Sequence, residues 1–215
     1  MSAVLFDLDG TLLDTAPDLG AALNQVLSEY GRPAVAASEY TPIASHGSAG
    51  LLKYGFGEDY FNAHRETLRT RFLDIYNNNL AQYTQLFDGV QQLLEALNRR
   101  GFAVAIVTNK PGFLTDQLVP QFPALAAIEV VVSGDTVARA KPHPDPILHA
   151  AELLGVDPTT AWYVGDAERD IIAGKAAGMR TVIADYGYIH ADESPHLWQA
   201  DHRIKTPLEL LDLLP

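Results

Sequence analysis

The sequence predicts an α/β fold: a parallel sheet with helices on both faces, and a smaller all-helical unit inserted near its start. Three observations carry this expectation. From residue 88 onward, short apolar and β-branched runs alternate with amphipathic runs that end in or near glycine. Such alternation marks crossover units, in which each parallel strand is reached through a helix. The chain opens with a run of the same kind, "AVLF" at residues 3 to 6. Between about residues 15 and 85 no convincing strand can be read.

Taken in order, "AVLF" reads as a buried strand that stops at Asp7. In "DTAPDLGAALNQVLSEYG", Leu19, Leu23, Val26, Leu27 and Tyr30 fall on one helical face, with Asp14 or Thr15 as N-cap, Pro17 in the first turn and Gly31 as the stop. A second helix is expected in "DYFNAHRETLRTRFLDIYNNNL", where Phe61, Leu68, Phe72 and Ile75 recur near multiples of three and four. Next come the helix "VQQLLEALNRRG", the strand "AVAIVT", the poorer helix "GFLTDQLVPQF", the strand "IEVVVSGD", the helix "DPILHAAELLG", the strand "AWYVGD", the helix "RDIIAGKAAG" and the strand "RTVIADYG". The polar "HADESPHLWQADHR" reads as loop and "PLELLDLLP" as a closing amphipathic helix. Residues 1–14 and 86–215 are thus expected to form the sheet domain, and 15–85 the helical one.

Composition limits the partners. With 47% hydrophobic residues over 215 positions the chain can bury a real core. Fifteen Lys and Arg against 27 Asp and Glu leave a formal net charge of −12, which opposes binding to nucleic acid or to anionic membranes and favours a small-molecule partner. The absence of cysteine excludes disulfides and thiolate metal sites. No positive leader segment and no apolar run of about 20 residues is present. A soluble cytoplasmic protein, monomeric or homodimeric, is the expectation.

In open parallel sheets, ligands sit outside the carboxyl ends of the strands. The residues there are Asp7 and Asp9; Thr108 and Asn109; Ser133 and Asp135, with Lys141 further on; and Gly165 and Asp166, with Asp170. Two unit charges about 4 Å apart repel by about 4 kcal/mol at an effective dielectric of ~20, so crowded carboxylates call for a hard, oxygen-seeking cation. Mg²⁺ is the candidate. With a lysine, a threonine hydroxyl and loop amides beside it, such a rim suits a phosphoryl group, and a carboxylate with no other duty can act as nucleophile. Gly10 permits the tight turn that lets backbone amides approach. The histidines show no HxxH or HExxH pairing and so no zinc site. His46, in "SHGSAG", is kept as a candidate substrate contact.

In order and context these motifs resemble the haloacid dehalogenase superfamily of phosphotransferases: "DLDGT" at 7 to 11 its first motif, "VTN" at 107 to 109 its second, Lys141 its third and "GDAERD" at 165 to 170 its fourth. The resemblance implies a Rossmann-like core with a small helical cap at 15–85. It implies Asp7 as nucleophile and Asp9 as acid and then base. It implies Mg²⁺ held by Asp7, the Asp9 carbonyl and Asp166 with Asp170 behind, Thr108 and Asn109 on phosphoryl oxygens, and Lys141 orienting Asp7. Within the superfamily, "VTNKP" and "KPHPDPIL" are similar to phosphoglycolate phosphatases, and "DYGYIHADESPHLWQAD" to N-acetylmuramic acid 6-phosphate phosphatases. A small phosphorylated metabolite is therefore the expected partner. A metal-free dehalogenase would have no use for Asp9, Asp166 and Asp170. A β-phosphoglucomutase-like enzyme would share every core motif. A phospho-receiver module would place its acidic pair before a separate phosphorylated Asp, without a helical insertion.

Overall fold

In the computed structural model, which describes residues 2–215, the chain runs through β1 (Ala3–Phe6), β2 (Leu13–Asp14), α1 (Ala16–Glu29), α2 (Ala37–Tyr40), α3 (Gly47–Phe56), α4 (Glu58–Asn78) and β3 (Gln85–Leu86). It continues through α5 (Val90–Arg99), β4 (Ala103–Val107), α6 (Gly112–Leu118), α7 (Pro123–Ala126), β5 (Val130–Val132), α8 (Asp145–Leu154), β6 (Trp162–Gly165), α9 (Glu168–Ala176), β7 (Arg180–Ala184), β8 (His202–Ile204) and α10 (Leu210–Leu213). Six strands form one parallel sheet in the order β5-β4-β1-β6-β7-β8. This is the α/β fold expected from the sequence.

The period-two alternation of a strand explains the layers. Val4 and Phe6 of β1 pack with Leu93 and Leu97 of α5 and with Ile106 and Val164. Ala3 and Leu5 point to the other face, against Ile147 and Ala150 of α8, Ala173 of α9 and the ring of Tyr163. A strand buried on both sides must be apolar throughout, which is why "AVLF" is an unbroken run. After β1 the chain extends the sheet one way through β4 and β5, then returns to the other side of β1 with β6. The carboxyl ends of β1 and β6 therefore flank the point where strand order reverses.

Helices α1, α3 and α4 share a separate apolar cluster built from Leu23, Leu27, Leu51, Phe61, Leu68 and Phe72, which Leu114 and Tyr188 of the sheet side also join. The chain leaves and returns through β2 and β3, which pair antiparallel as Leu13 with Leu86 and Asp14 with Gln85.

Several elements differ from the sequence expectation. Residues 202 and 203, read as loop, belong to β8, an edge strand in which Ile204 is buried while Arg203 pairs with Asp185 at 2.8 Å. An edge strand needs only one apolar side chain facing inward, so no hydrophobic run announces it. The strand expected in "IEVVVSGD" is confined to Val130–Val132, because the Ser133 N–H turns to donate to Thr136 Oγ1 at 2.9 Å. The tail helix shrinks to Leu210–Leu213 after a 3₁₀ turn at Pro207–Glu209. Thr15 occupies the N-cap position of α1 but does not cap it with its side chain; its hydroxyl donates to Asp9 instead, at 2.6 Å. No helix of the described residues is long and apolar enough to cross a membrane.

Candidate active site

Asp7 follows directly on β1, and its N–H still donates to Val164 O across the sheet at 2.9 Å. Its carboxylate is buried. Oδ1 accepts from Leu8 N at 2.7 Å and meets Lys141 Nζ at 2.9 Å, and Oδ2 has the Arg169 guanidinium at 3.8 Å. Lys141 is the hub of this rim. Its fully buried ammonium also lies 2.7 Å from Asp170 Oδ1 and donates to Val107 O and Tyr163 Oη, each at 2.8 Å.

Asp7, Asp166 and Asp170 each offer a carboxylate oxygen, all within 4.8 Å of one another. Burial pushes the Asp7 carboxyl up to about 6, with the charge of Asp170 adding to the rise and Lys141 and Arg169 opposing it. Burial, and then the charges of Asp7 and Asp170, push Asp166 up to about 8. Asp166 Oδ2 accepts the Tyr188 N–H at 2.8 Å, but Oδ1 is buried with no hydrogen-bond partner. An unsatisfied buried polar atom costs roughly 1–3 kcal/mol, more if charged. A hard divalent cation would satisfy that oxygen and replace the protons that Asp7 and Asp166 otherwise hold more tightly than free carboxyls do. The donor set, all oxygen, fits Mg²⁺.

Asp9 lies apart from this cluster. Its Oδ1 accepts from Lys110 Nζ at 2.8 Å and from Thr15 Oγ1 at 2.6 Å. Burial alone would raise its pKa, but the Lys110 charge and both hydrogen bonds hold the carboxyl below the usual carboxylate range. Its Oδ1 is thereby committed to Lys110 and Thr15, away from the group formed by Asp7, Asp166 and Asp170. Asp170 offers an oxygen to the same group, while its Oδ1 pairs with Lys141 at 2.7 Å and its Oδ2 accepts Ala167 N at 3.1 Å. Gly10 has φ +84, and a Cβ there would land on Asp166 Oδ2.

Thr108 follows β4, its N–H donating to Val132 O at 2.9 Å and its Oγ1 accepting the Lys110 N–H at 3.1 Å. The Asn109 side chain is bonded to the backbone of Lys141. Its Nδ2 donates to Lys141 O at 2.8 Å and its Oδ1 accepts Lys141 N at 3.0 Å. It clips the Lys141 loop in place. Asp135 likewise serves α6, its Oδ1 accepting Gly112 N at 2.9 Å.

Asp7, Asp9, Thr108 and Asn109 line a cavity of about 420 Å³ between this rim and the helical unit, which contributes His46, Tyr76, Arg65 and Arg69. His46 stands at its edge with Nε2 3.4 Å from Glu193 Oε1. Sequence reasoning missed Lys110, whose Nζ lies 4.7 Å from the Tyr76 ring centroid, and Arg169, which donates to Ser45 Oγ at 3.2 Å. Both lie inside or beside the motifs quoted, in "VTNKP" and "GDAERD", and a cation directly beside a candidate site residue, Asn109 or Asp170, was the available signal. Tyr188 gave no such signal.

A doubly wound parallel sheet with this rim, joined to a helical unit across a cavity, defines the class: a phosphatase, an enzyme that hydrolyses phosphoric monoesters. The chain belongs to the haloacid dehalogenase-like hydrolases, whose family model matches residues 4–184. It is 46% identical over 208 residues to the phosphoglycolate phosphatase of Xanthomonas campestris pv. campestris, spanning 97% of this chain and 94% of that one. It is 37% identical over 214 residues to the N-acetylmuramic acid 6-phosphate phosphatase of Pseudomonas aeruginosa, spanning 100% and 95%. The crystal structure of a predicted phosphoglycolate phosphatase from Haemophilus somnus superposes with a TM-score of 0.84 at 25% identity, covering 98% of this chain and 96% of that one.

Proposed function

We propose that this chain is a Mg²⁺-dependent phosphomonoester hydrolase that works through an aspartyl phosphate, on phosphoglycolate or a similar small organic phosphate. The observation that carries the reading is the pairing of a buried, Lys141-held Asp7 with a separately held Asp9 at one cavity. Asp7 attacks phosphorus, and the bond from phosphorus to the ester oxygen breaks as Asp9, ionised in the free protein, passes to that oxygen a proton it has taken up from the entering phosphate monoanion. Asp9 then removes a proton from water as it attacks the same phosphorus, and the bond to Asp7 breaks to release phosphate. Lys141 fixes the rotamer of Asp7, and the Thr108 hydroxyl with the amide of Asn109 holds the phosphoryl oxygens. Asp7, the Asp9 carbonyl and Asp166 would hold Mg²⁺, with Asp170 beside them. When bound, the ion supplies charge neutralisation for the phosphoryl oxygens. Residues 15–85 serve as a cap that shapes the cavity's other wall.

A second reading, an N-acetylmuramic acid 6-phosphate phosphatase, is favoured by the cavity's size. About 420 Å³ falls within the range of pockets that take drug-sized ligands and is generous for a two-carbon ester. The test is phosphate release with Mg²⁺ from phosphoglycolate, N-acetylmuramic acid 6-phosphate and several hexose phosphates. Isomerisation without free phosphate would make the enzyme a mutase, and no turnover of any ester would overturn the proposal.

A further inference from the structure

The cavity holds more positive charge than its own acids use. Four of the protein's 15 Lys and Arg residues line it, Arg65, Arg69, Lys110 and Arg169, on a chain of formal charge −12. Its lining carboxylates are Asp7 and Asp9. Lys110 is bonded to Asp9, and Arg169 lies beside Asp7. Arg65 and Arg69 belong to the other wall, α4, and among the described residues neither enters an ion pair or a side-chain hydrogen bond. Arg71 on the same helix shows the alternative: it grips Glu29 through two nitrogens and meets Asp74 at 2.6 Å.

Residues four apart share a helix face, so Arg65 and Arg69 aim like charges at the same space. Among the described residues no acid on α4 or across the cavity lies within ion-pair distance of either arginine, which leaves the two like charges facing one another. The guanidinium fork matches carboxylate and phosphate oxygens in two-point contacts. Both esters named above carry one carboxylate beyond phosphorus and no second phosphoryl group, and a guanidinium pair on the facing wall suits that carboxylate. We infer that Arg65 and Arg69 form a subsite for a carboxylate carried by the substrate at its end remote from phosphorus. This rests on the phosphatase reading above. It makes the helical wall the reader of a carboxylated phosphomonoester.

The experiment uses matched pairs differing in that group, with Mg²⁺ present: phosphoglycolate against 2-hydroxyethyl phosphate, and N-acetylmuramic acid 6-phosphate against N-acetylglucosamine 6-phosphate. In at least one pair the wild-type protein favours the carboxylated member by about 30-fold in kcat/KM, the scale of hydrogen bonds to charged groups. In Arg65→Gln/Arg69→Gln the preference collapses to within about threefold, through KM, and Arg65→Lys/Arg69→Lys restores part of it. Both arginines are exposed, so their replacement spares the fold. A preference that survives the double change, or no preference in either pair, overturns the subsite while leaving the hydrolase reading intact. So does an arginine-dependent preference for fructose 1,6-bisphosphate, which would assign the wall to a second phosphoryl group. If wild-type protein turned over no ester, the hydrolase reading would fall. Calorimetric titration of the same pairs would then decide the subsite alone: an arginine-dependent preference for the carboxylated member upholds it, and equal affinities overturn it.

Discussion

Tyr188 holds Asp166 from behind while gripping the root of the helical unit. Its backbone N–H donates to Asp166 Oδ2 at 2.8 Å, and its hydroxyl donates to Asp14 Oδ1 at 2.7 Å and accepts Ala16 N–H at 2.9 Å. One residue thus couples the acidic cluster to the strand and helix through which the chain enters the unit. Tyr188→Phe removes only the hydroxyl and should destabilise the protein by about 1–2 kcal/mol in urea titrations. Affinity for Mg²⁺ should stay within twofold, because the backbone bond to Asp166 survives. A large loss of metal affinity would show that the hydroxyl, not the amide, sets Asp166.

Gly10 is fixed by both backbone and space, since φ is +84 and a Cβ would meet the Asp166 carboxylate. Gly10→Ala is expected to fold and yet bind Mg²⁺ at least about tenfold more weakly, because Asp166 must move. Unchanged affinity by calorimetry would mean that Asp166 does not bind the ion.

Asp7→Asn removes the nucleophile without changing volume, and turnover should fall by about a thousandfold or more with the fold intact by circular dichroism. Retention of more than a few per cent of wild-type turnover would sink the role of Asp7.

Asp9→Asn separates leaving-group protonation from attack. The loss should be about tenfold or more greater on an alkyl phosphate than on p-nitrophenyl phosphate, whose leaving group needs little proton. Equal losses on both would give Asp9 another role.

The raised pKa values of Asp7 and Asp166 have a definite sign. A folded-state acid with pKa raised above its unfolded value binds more protons than the unfolded chain, so its contribution to stability is lost as pH rises. For these two acids the window runs from about 4, where free carboxyls ionise, up to about 6 for Asp7 and about 8 for Asp166. Metal-free protein should lose melting temperature across that range, and millimolar Mg²⁺ should raise the melting temperature more at pH 8 than at pH 5. A metal effect independent of pH would contradict the assignment of these carboxylates to the ion.

Much of this architecture is written locally. Strands buried on both faces must be continuous apolar runs, so β1, β4, β6 and β7 announce themselves, and whatever follows them lies on one rim. That logic assembles Asp7, Thr108, Lys141, Asp166 and Asp170 from distant parts of the chain. It does not reveal how a side chain spends its hydrogen bonds. The Asn109 side chain clips the Lys141 backbone, and that partner lies 32 residues away on another loop. Tyr188 lies in a stretch with no pattern, and its contacts reach residues more than 170 positions away in sequence. Arg65 and Arg69 carry no local mark in the helix they belong to, and only the placement of α4 across the cavity brings them to the site. The β8 strand is hidden for a simpler reason, since an edge needs one buried side chain.

The β2–β3 ribbon bears on how such a chain can change. Leu13 and Leu86 sit opposite one another, as do Asp14 and Gln85. Seen from the sheet, the whole excursion is therefore a hairpin turn whose two feet already touch. Lengthening such a turn is inexpensive, about 0.6 kcal/mol for each doubling, and replacing it leaves every strand end where it stands. Descent with modification can then swap the excursion as a cassette, keeping the chemistry of the rim and altering which molecule is brought to it.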